Sequence, residues 1–175
     1  MTDILQVAQL GNPVLRRQAQ PITDISDRRL QTLIDNLIAT ALETNGVGIA
    51  APQVSQSDRL FIVASRPNRR YPKAPQMAPT AMINPKIINH SRQQEKGWEG
   101  CLSVPGIRGF VPRYQTVEVE YSDRNGQLQR QQLTDFVARI FQHEYDHLEG
   151  IVFLDRVESD QDLVTEAEYQ ALYSR

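Results

Sequence analysis

The chain has 175 residues, enough to bury a sizeable core, and its 40% apolar share is ordinary for a globular protein. A net charge of −2 gives no global attraction to nucleic acid or to an anionic membrane. The one cysteine excludes an internal disulfide, and no apolar run approaches the ~20 residues of a membrane span.

The opening stretch, MTDILQVAQLGNP, lacks the basic segment and apolar core of a secretory signal. A cytoplasmic location is therefore expected, or an organelle stroma or matrix for a processed form. Residues 1–25 read as irregular or short strand, broken by Pro13 and Pro21. Leu30, Leu33, Ile34, Leu37, Ile38, Ala41 and Leu42 follow helical spacing. Asp24 or Ser26 is expected to cap that helix, and Asn45-Gly46 to end it. RLFIVAS (59–65) reads as a buried strand. The Pro-, Arg- and Lys-rich stretch at 65–80 reads as a surface loop with a solvated basic cluster. Residues 81–90 are extended, with Pro85 placing them at a sheet edge or a bend. The alternation of Val117, Val119 and Tyr121 and the turn dipeptide Asn125-Gly126 predict a hairpin over 116–133.

A second amphipathic helix is predicted over about 135–149, capped by Thr134 or Asp135 and released at Gly150. It carries QHEYDH. His143 and His147 lie four residues apart on one helix face, a spacing that grips one divalent ion, with Glu144 beside them to move protons. IVFL (151–154) reads as a short strand. The tail over 156–175 is short and acidic, and Thr165 and Glu168 are placed as a capping box for a terminal helix. The expected fold is α+β, with antiparallel sheets around a central helix carrying the HExxH motif. No repeat or linker divides it, so one catalytic domain over 1–175 is expected.

A catalytic metal usually takes three protein ligands and leaves one position open. Three sources of the third ligand compete. The pattern HExxHxxGxxH would put a histidine where Phe153 stands, which fails. A downstream glutamate, Glu166 or Glu168, lies at a possible distance but in a tail that looks solvated. Cys101 is the third, in the glycine-rich segment GWEGCLSVPGIRGFVPR.

GVGIAAPQ (46–53), EGCLS (99–103) and QHEYDH (142–147) resemble, in order and spacing, the three signature motifs of peptide deformylases, over about residues 5–155. The resemblance implies a hydrolase that removes the formyl group from N-formylmethionine at the start of nascent polypeptides, releasing formate. It implies Cys101, His143 and His147 as metal ligands and Glu144 as the group that takes a proton from water and passes it to the leaving amine. Gln53 and the backbone N–H of Leu102 are implied as oxyanion donors. Val47, Gly48, Gly100 and Arg108 would meet the peptide, and Glu99 and Arg113 would pair behind the cysteine loop. One divalent ion is implied: Fe2+ as the native metal, with Zn2+, Ni2+ or Co2+ able to replace it. The partner is the formylmethionyl nascent peptide near the ribosome. Docking there through a basic C-terminal helix is not expected, because ribosomal RNA would repel the acidic tail. No membrane partner is expected, and the oligomeric state is monomer or homodimer. Trp98 stands where many bacterial members carry an acidic residue, and resembles a branch that includes organellar enzymes. A zinc endopeptidase using Glu166 and a non-catalytic binder of peptide N-termini are the competing readings.

Overall fold

A computed structural model describes residues 2–173. The first helix, α1 (Arg28–Glu43), buries Leu30, Ile34, Leu37 and Ala41, the stripe its periodicity predicts. Its N-cap is Asp27, whose carboxylate accepts from the Arg29 N–H at 2.8 Å. Asp24 and Ser26, the expected caps, bond each other one turn earlier.

Five strands form one antiparallel sheet in the order β1-β2-β3-β6-β7: β1 (Gly48–Ala50), β2 (Leu60–Val63), β3 (Thr80–His90), β6 (Thr116–Ser122) and β7 (Leu128–Thr134). β2 is buried throughout, as its continuous apolar run predicts. β3 lies inside the sheet between β2 and β6, not at an edge. Pro85 is tolerated because the β3–β6 register shifts between Ile83 and Lys86, where no ladder donor is needed. The β6–β7 hairpin turns at Asn125-Gly126, with Gly126 at φ +79°.

A second sheet of three antiparallel strands runs β4-β5-β8: β4 (Gln94–Cys101), β5 (Val104–Tyr114) and β8 (Leu163–Thr165). The helix α2 (Asp135–Leu148) packs on strands of both sheets. This is the α+β arrangement expected, with the motif helix central. Thr134 is the N-cap of α2 by position, without a side-chain bond. Residues 151–154 do not form a strand. Phe153–Arg156 is a 3-10 turn, because Phe153 seats under β4 and β5 with Cys101 and Val111 instead of entering a ladder.

The acidic tail is not free in solvent. β8 extends the second sheet by pairing Ile107–Gly109, and Lys96 bridges Glu158 and Asp162. α3 (Glu166–Leu172) follows with the expected capping box: Glu168 N–H donates to Thr165 Oγ1, and Thr165 N–H to the Glu168 carboxylate. Among the described residues no helix is long and apolar enough to cross a membrane.

Candidate metal centre and active site

Cys101 ends β4, and one turn of α2 separates His143 from His147. The packing of α2 beneath the end of β4 brings one ligand atom of each residue within 4.8 Å of the others. Cys101 Sγ lies 3.3 Å from His147 Nε2. All three residues are buried. Glu166 and Glu168 are not in this cluster; Glu166 is held by Arg108 at 2.7 Å.

The electrostatics suit a cation. Burial alone would push the Cys101 thiol up, yet the His147 and His143 imidazoles pull it well below its ordinary value. His143 is held well above the ordinary imidazole range: burial opposes this, and the Cys101 sulfur and the Glu99 carboxylate outweigh it. A thiolate sharing a proton with imidazoles is a donor set that a divalent ion takes over by displacing that proton. His143 Nδ1 is engaged by Glu99 Oε1 at 2.8 Å, which leaves Nε2 to face the cluster.

Behind His143 lies a dense charge network. Arg113 grips Glu99 with two bonds of 2.9 Å and reaches Asp146 at 2.6 Å. Arg139 adds a bond to Glu99 at 2.8 Å and donates to the carbonyl of Val111. Burial alone would raise the Glu99 carboxyl, but Arg113 and His143 hold it far below the carboxylate range. The expected Glu99–Arg113 pair is thus present, and Arg139 and Asp146 join it. Neither was singled out from sequence. The only available signal was their i, i+7 placement on the motif helix. Gln142 clamps α2 to β5 by donating to Tyr114 O at 2.8 Å and accepting from Tyr114 N–H at 3.0 Å.

Glu144 points into the pocket. Its Oε2 has no partner among the described residues, and burial pushes its carboxyl up to about 7, against the pull of His143 and His147. Gly48 makes room for it: a Cβ at Gly48 would meet Glu144 Oε1 at 2.6 Å. Gln53 sits on the 3-10 turn Ala51–Val54 with its Oε1 fixed by the Ala50 N–H at 2.9 Å. That contact aims Nε2 toward Ser103 Oγ at 3.1 Å and Cys101 Sγ at 3.5 Å. Val47, Gly48, Gly100 and Leu102 line the same pocket, with Trp98, Phe136 and Ile140.

Arg108 is placed differently from a surface arginine. It is fully buried, bonded twice to Glu166 and sandwiched between Tyr71 and Tyr169, 4.8 and 4.4 Å from their ring centres. It does not line the pocket. Arg70 and Tyr71, from the loop read as solvated, do.

The model of the family described as polypeptide deformylase matches residues 4–162. The chain is 65% identical over 173 residues to peptide deformylase 2 of Nostoc sp., covering 99% of this chain and 97% of that one. It is 51% identical over 152 residues to peptide deformylase 2 of Shewanella oneidensis, covering 87% and 83%. Among solved structures it resembles a class I type b peptide deformylase from Acinetobacter baumannii with Met-Ala-Ser bound. That likeness has a TM-score of 0.87 and 47% identity, over 90% of this chain and all of that one. It also resembles the Thermotoga maritima peptide deformylase, at a TM-score of 0.80 and 35% identity over 90% and 99%.

Proposed function

The chain belongs to the polypeptide deformylase family, and from that premise we propose which of its groups carry the reaction. The enzyme is a hydrolase that removes the N-terminal formyl group from formylmethionyl peptides. Members depend on a metal, and the Cys101, His143 and His147 cluster is where this chain would hold one. Bound there, a divalent ion supplies Lewis acidity that makes water nucleophilic near neutral pH. Fe2+ is our choice for the native ion, with Zn2+, Ni2+ or Co2+ as replacements; thiolate with two imidazoles accepts any of them.

Glu144 is the proton carrier in this reading. Its Oε2 is buried without a partner among the described residues, in the pocket that Cys101 and His143 also line, and burial holds it near the range in which a carboxylate both accepts and returns a proton. It takes the proton of the attacking water and delivers it to the amine of methionine as the C–N bond breaks. The oxyanion formed at the formyl carbon is met by Gln53 Nε2 and the Leu102 N–H. Gln53 is pre-aimed by its bond to Ala50, so little reorganisation is needed. The Glu99–Arg113–Arg139 network fixes the His143 ring and its tautomer.

The peptide lies extended between two open strand edges. β1 ends one sheet and β4 the other; Gly48 and Gly100 on those edges, and Val47 just before β1, line the pocket. Their backbone groups pair with the peptide main chain, and Phe136, Ile140 and Trp98 receive the methionine side chain. We place residues 1–175 as one catalytic domain working in the cytoplasm close to the ribosome, as a monomer or homodimer. α3 carries Glu166 and Glu168 and no cation between Glu166 and Leu172, which disfavours docking on RNA through that helix.

The observation that carries this reading is the cluster of thiolate and two imidazoles with an unpartnered Glu144 beside it. The test is formate release from formyl-Met-Ala-Ser, with and without chelator, by the wild type and Glu144→Gln. The variant should keep its metal and lose activity about 10²- to 10⁴-fold. Near-normal turnover by the variant would remove Glu144 from the mechanism.

A further inference from the structure

The loop between β2 and β3 enters the pocket in a way the hydrolysis does not require. Asn68 shapes a tight turn by accepting from the N–H groups of Arg70 at 2.8 Å and Tyr71 at 3.0 Å. The turn is tied down on both sides. Arg66 donates to the carbonyls of Gly46 and Leu42, at 2.9 and 3.0 Å, and Ser65 donates to Pro75 O at 2.6 Å. Tyr71 is thereby driven inward. Its ring lies between the Arg108 guanidinium, 4.8 Å from the ring centre, and Phe136, at a centroid distance of 5.2 Å. Its Oη accepts the backbone N–H of Gly100 at 3.3 Å.

Gly100 lies on the open edge of β4 and lines the pocket, so its N–H is a donor that an extended peptide would use there. The pocket is narrow, with space for water-sized occupants of about 30 Å³, and Tyr71 is one of its walls. Beside it, sharing Tyr71 and Phe136 as walls, is a groove of about 320 Å³ lined also by Ala74, Tyr169 and Tyr173. Space for the Tyr71 ring therefore exists next to the pocket whose wall it forms.

We propose that Tyr71 is a positioning residue that holds the place of the substrate main chain. Its hydroxyl occupies the Gly100 donor, and the incoming peptide must displace it to pair with β4. This rests on the reading of Gly100 as a peptide-pairing group. Substrate affinity is then lowered by the contact that is broken. Arg108, fixed by Glu166 and Tyr169 on α3, is the platform that returns the ring to its place.

The test compares wild type with Tyr71→Phe, which keeps the ring against Arg108 and Phe136 and removes only the hydroxyl. Without the competing acceptor, KM for formyl-Met-Ala-Ser should fall about 2- to 12-fold, the range set by the net worth of one hydrogen bond. The fall in KM should exceed any change in kcat. A merely structural role predicts the reverse, with a raised KM or lower melting temperature and no gain in affinity. Amide exchange at Gly100 gives the second readout: it should be faster in Tyr71→Phe than in wild type. An unchanged or raised KM, or unaltered exchange at Gly100, overturns the proposal. Failure of both proteins to release formate would instead overturn the deformylase site beneath it.

Discussion

Gly48→Ala tests how closely Glu144 is placed. The methyl group would stand 2.6 Å from Glu144 Oε1 and 2.9 Å from its Cγ, where ordinary contact begins at 3.4 Å. Relief requires the carboxylate to move by about 0.8 Å, since Gly48 is pinned in β1 opposite Val63 and cannot retreat. A misplacement of about 1 Å costs on the order of 100-fold in rate, or about 2.7 kcal/mol of transition-state stabilisation. The three atoms nearest the new methyl group all belong to Glu144, so metal content should be retained. Steady-state turnover of formyl-Met-Ala-Ser, with metal analysis on the same sample, reads both quantities. The double variant Gly48→Ala/Glu144→Gln should be scarcely slower than Glu144→Gln alone, because both changes disable one group. Full activity in Gly48→Ala, or losses that multiply in the double variant, would refute the account of Gly48 as clearance for Glu144.

Three further outcomes are expected. Glu99→Gln leaves the buried Arg113, and the partly exposed Arg139, without their shared carboxylate, and should cost about 3–5 kcal/mol in chemical denaturation; a loss under 1 kcal/mol would mean that Asp146 alone satisfies Arg113. Cobalt-loaded protein should show a sulfur-to-cobalt charge-transfer band that Cys101→Ser lacks, and its persistence in that variant would remove Cys101 from the ligand set. Glu166 is held below the usual carboxylate range first by its hydrogen bond with Arg108. A depressed folded-state pKa contributes stability at neutral pH that is lost as pH falls through that value. Hydrogen exchange should therefore show α3 loosening on acidification before the five-stranded sheet does, and simultaneous loss of both would contradict the assignment.

Much of this site is written in local patterns. The spacing of Leu30, Ile34, Leu37 and Ala41 suffices for α1, and Asn125-Gly126 for the hairpin, because each depends on neighbours in sequence. His143, Glu144 and His147 are legible for the same reason. What was not legible depends on partners far along the chain. Arg139 and Asp146 look like solvent-facing helix residues until β4 and β5 arrive with Glu99 and Arg113, some 40 and 33 residues away. Arg108 reads as an exposed peptide contact until α3, 58 residues on, supplies Glu166 and Tyr169. Phe153 carries a strand's composition, yet the cavity beneath Cys101 takes its ring and bends the chain.

The two open edges have a cost outside catalysis. An unpaired strand that accepts a peptide of any sequence also accepts the strand of another molecule, and sheets that continue from copy to copy are a route to aggregation. Here the exposure is rationed. β1 is three residues long, too short to template much of a ladder. The far edge of the second sheet ends in β8, also three residues, and β4 kinks out of register just before Cys101. At β1 the chain keeps enough unpaired backbone to seat the first residues of a newborn protein, and too little to template a strand of another copy.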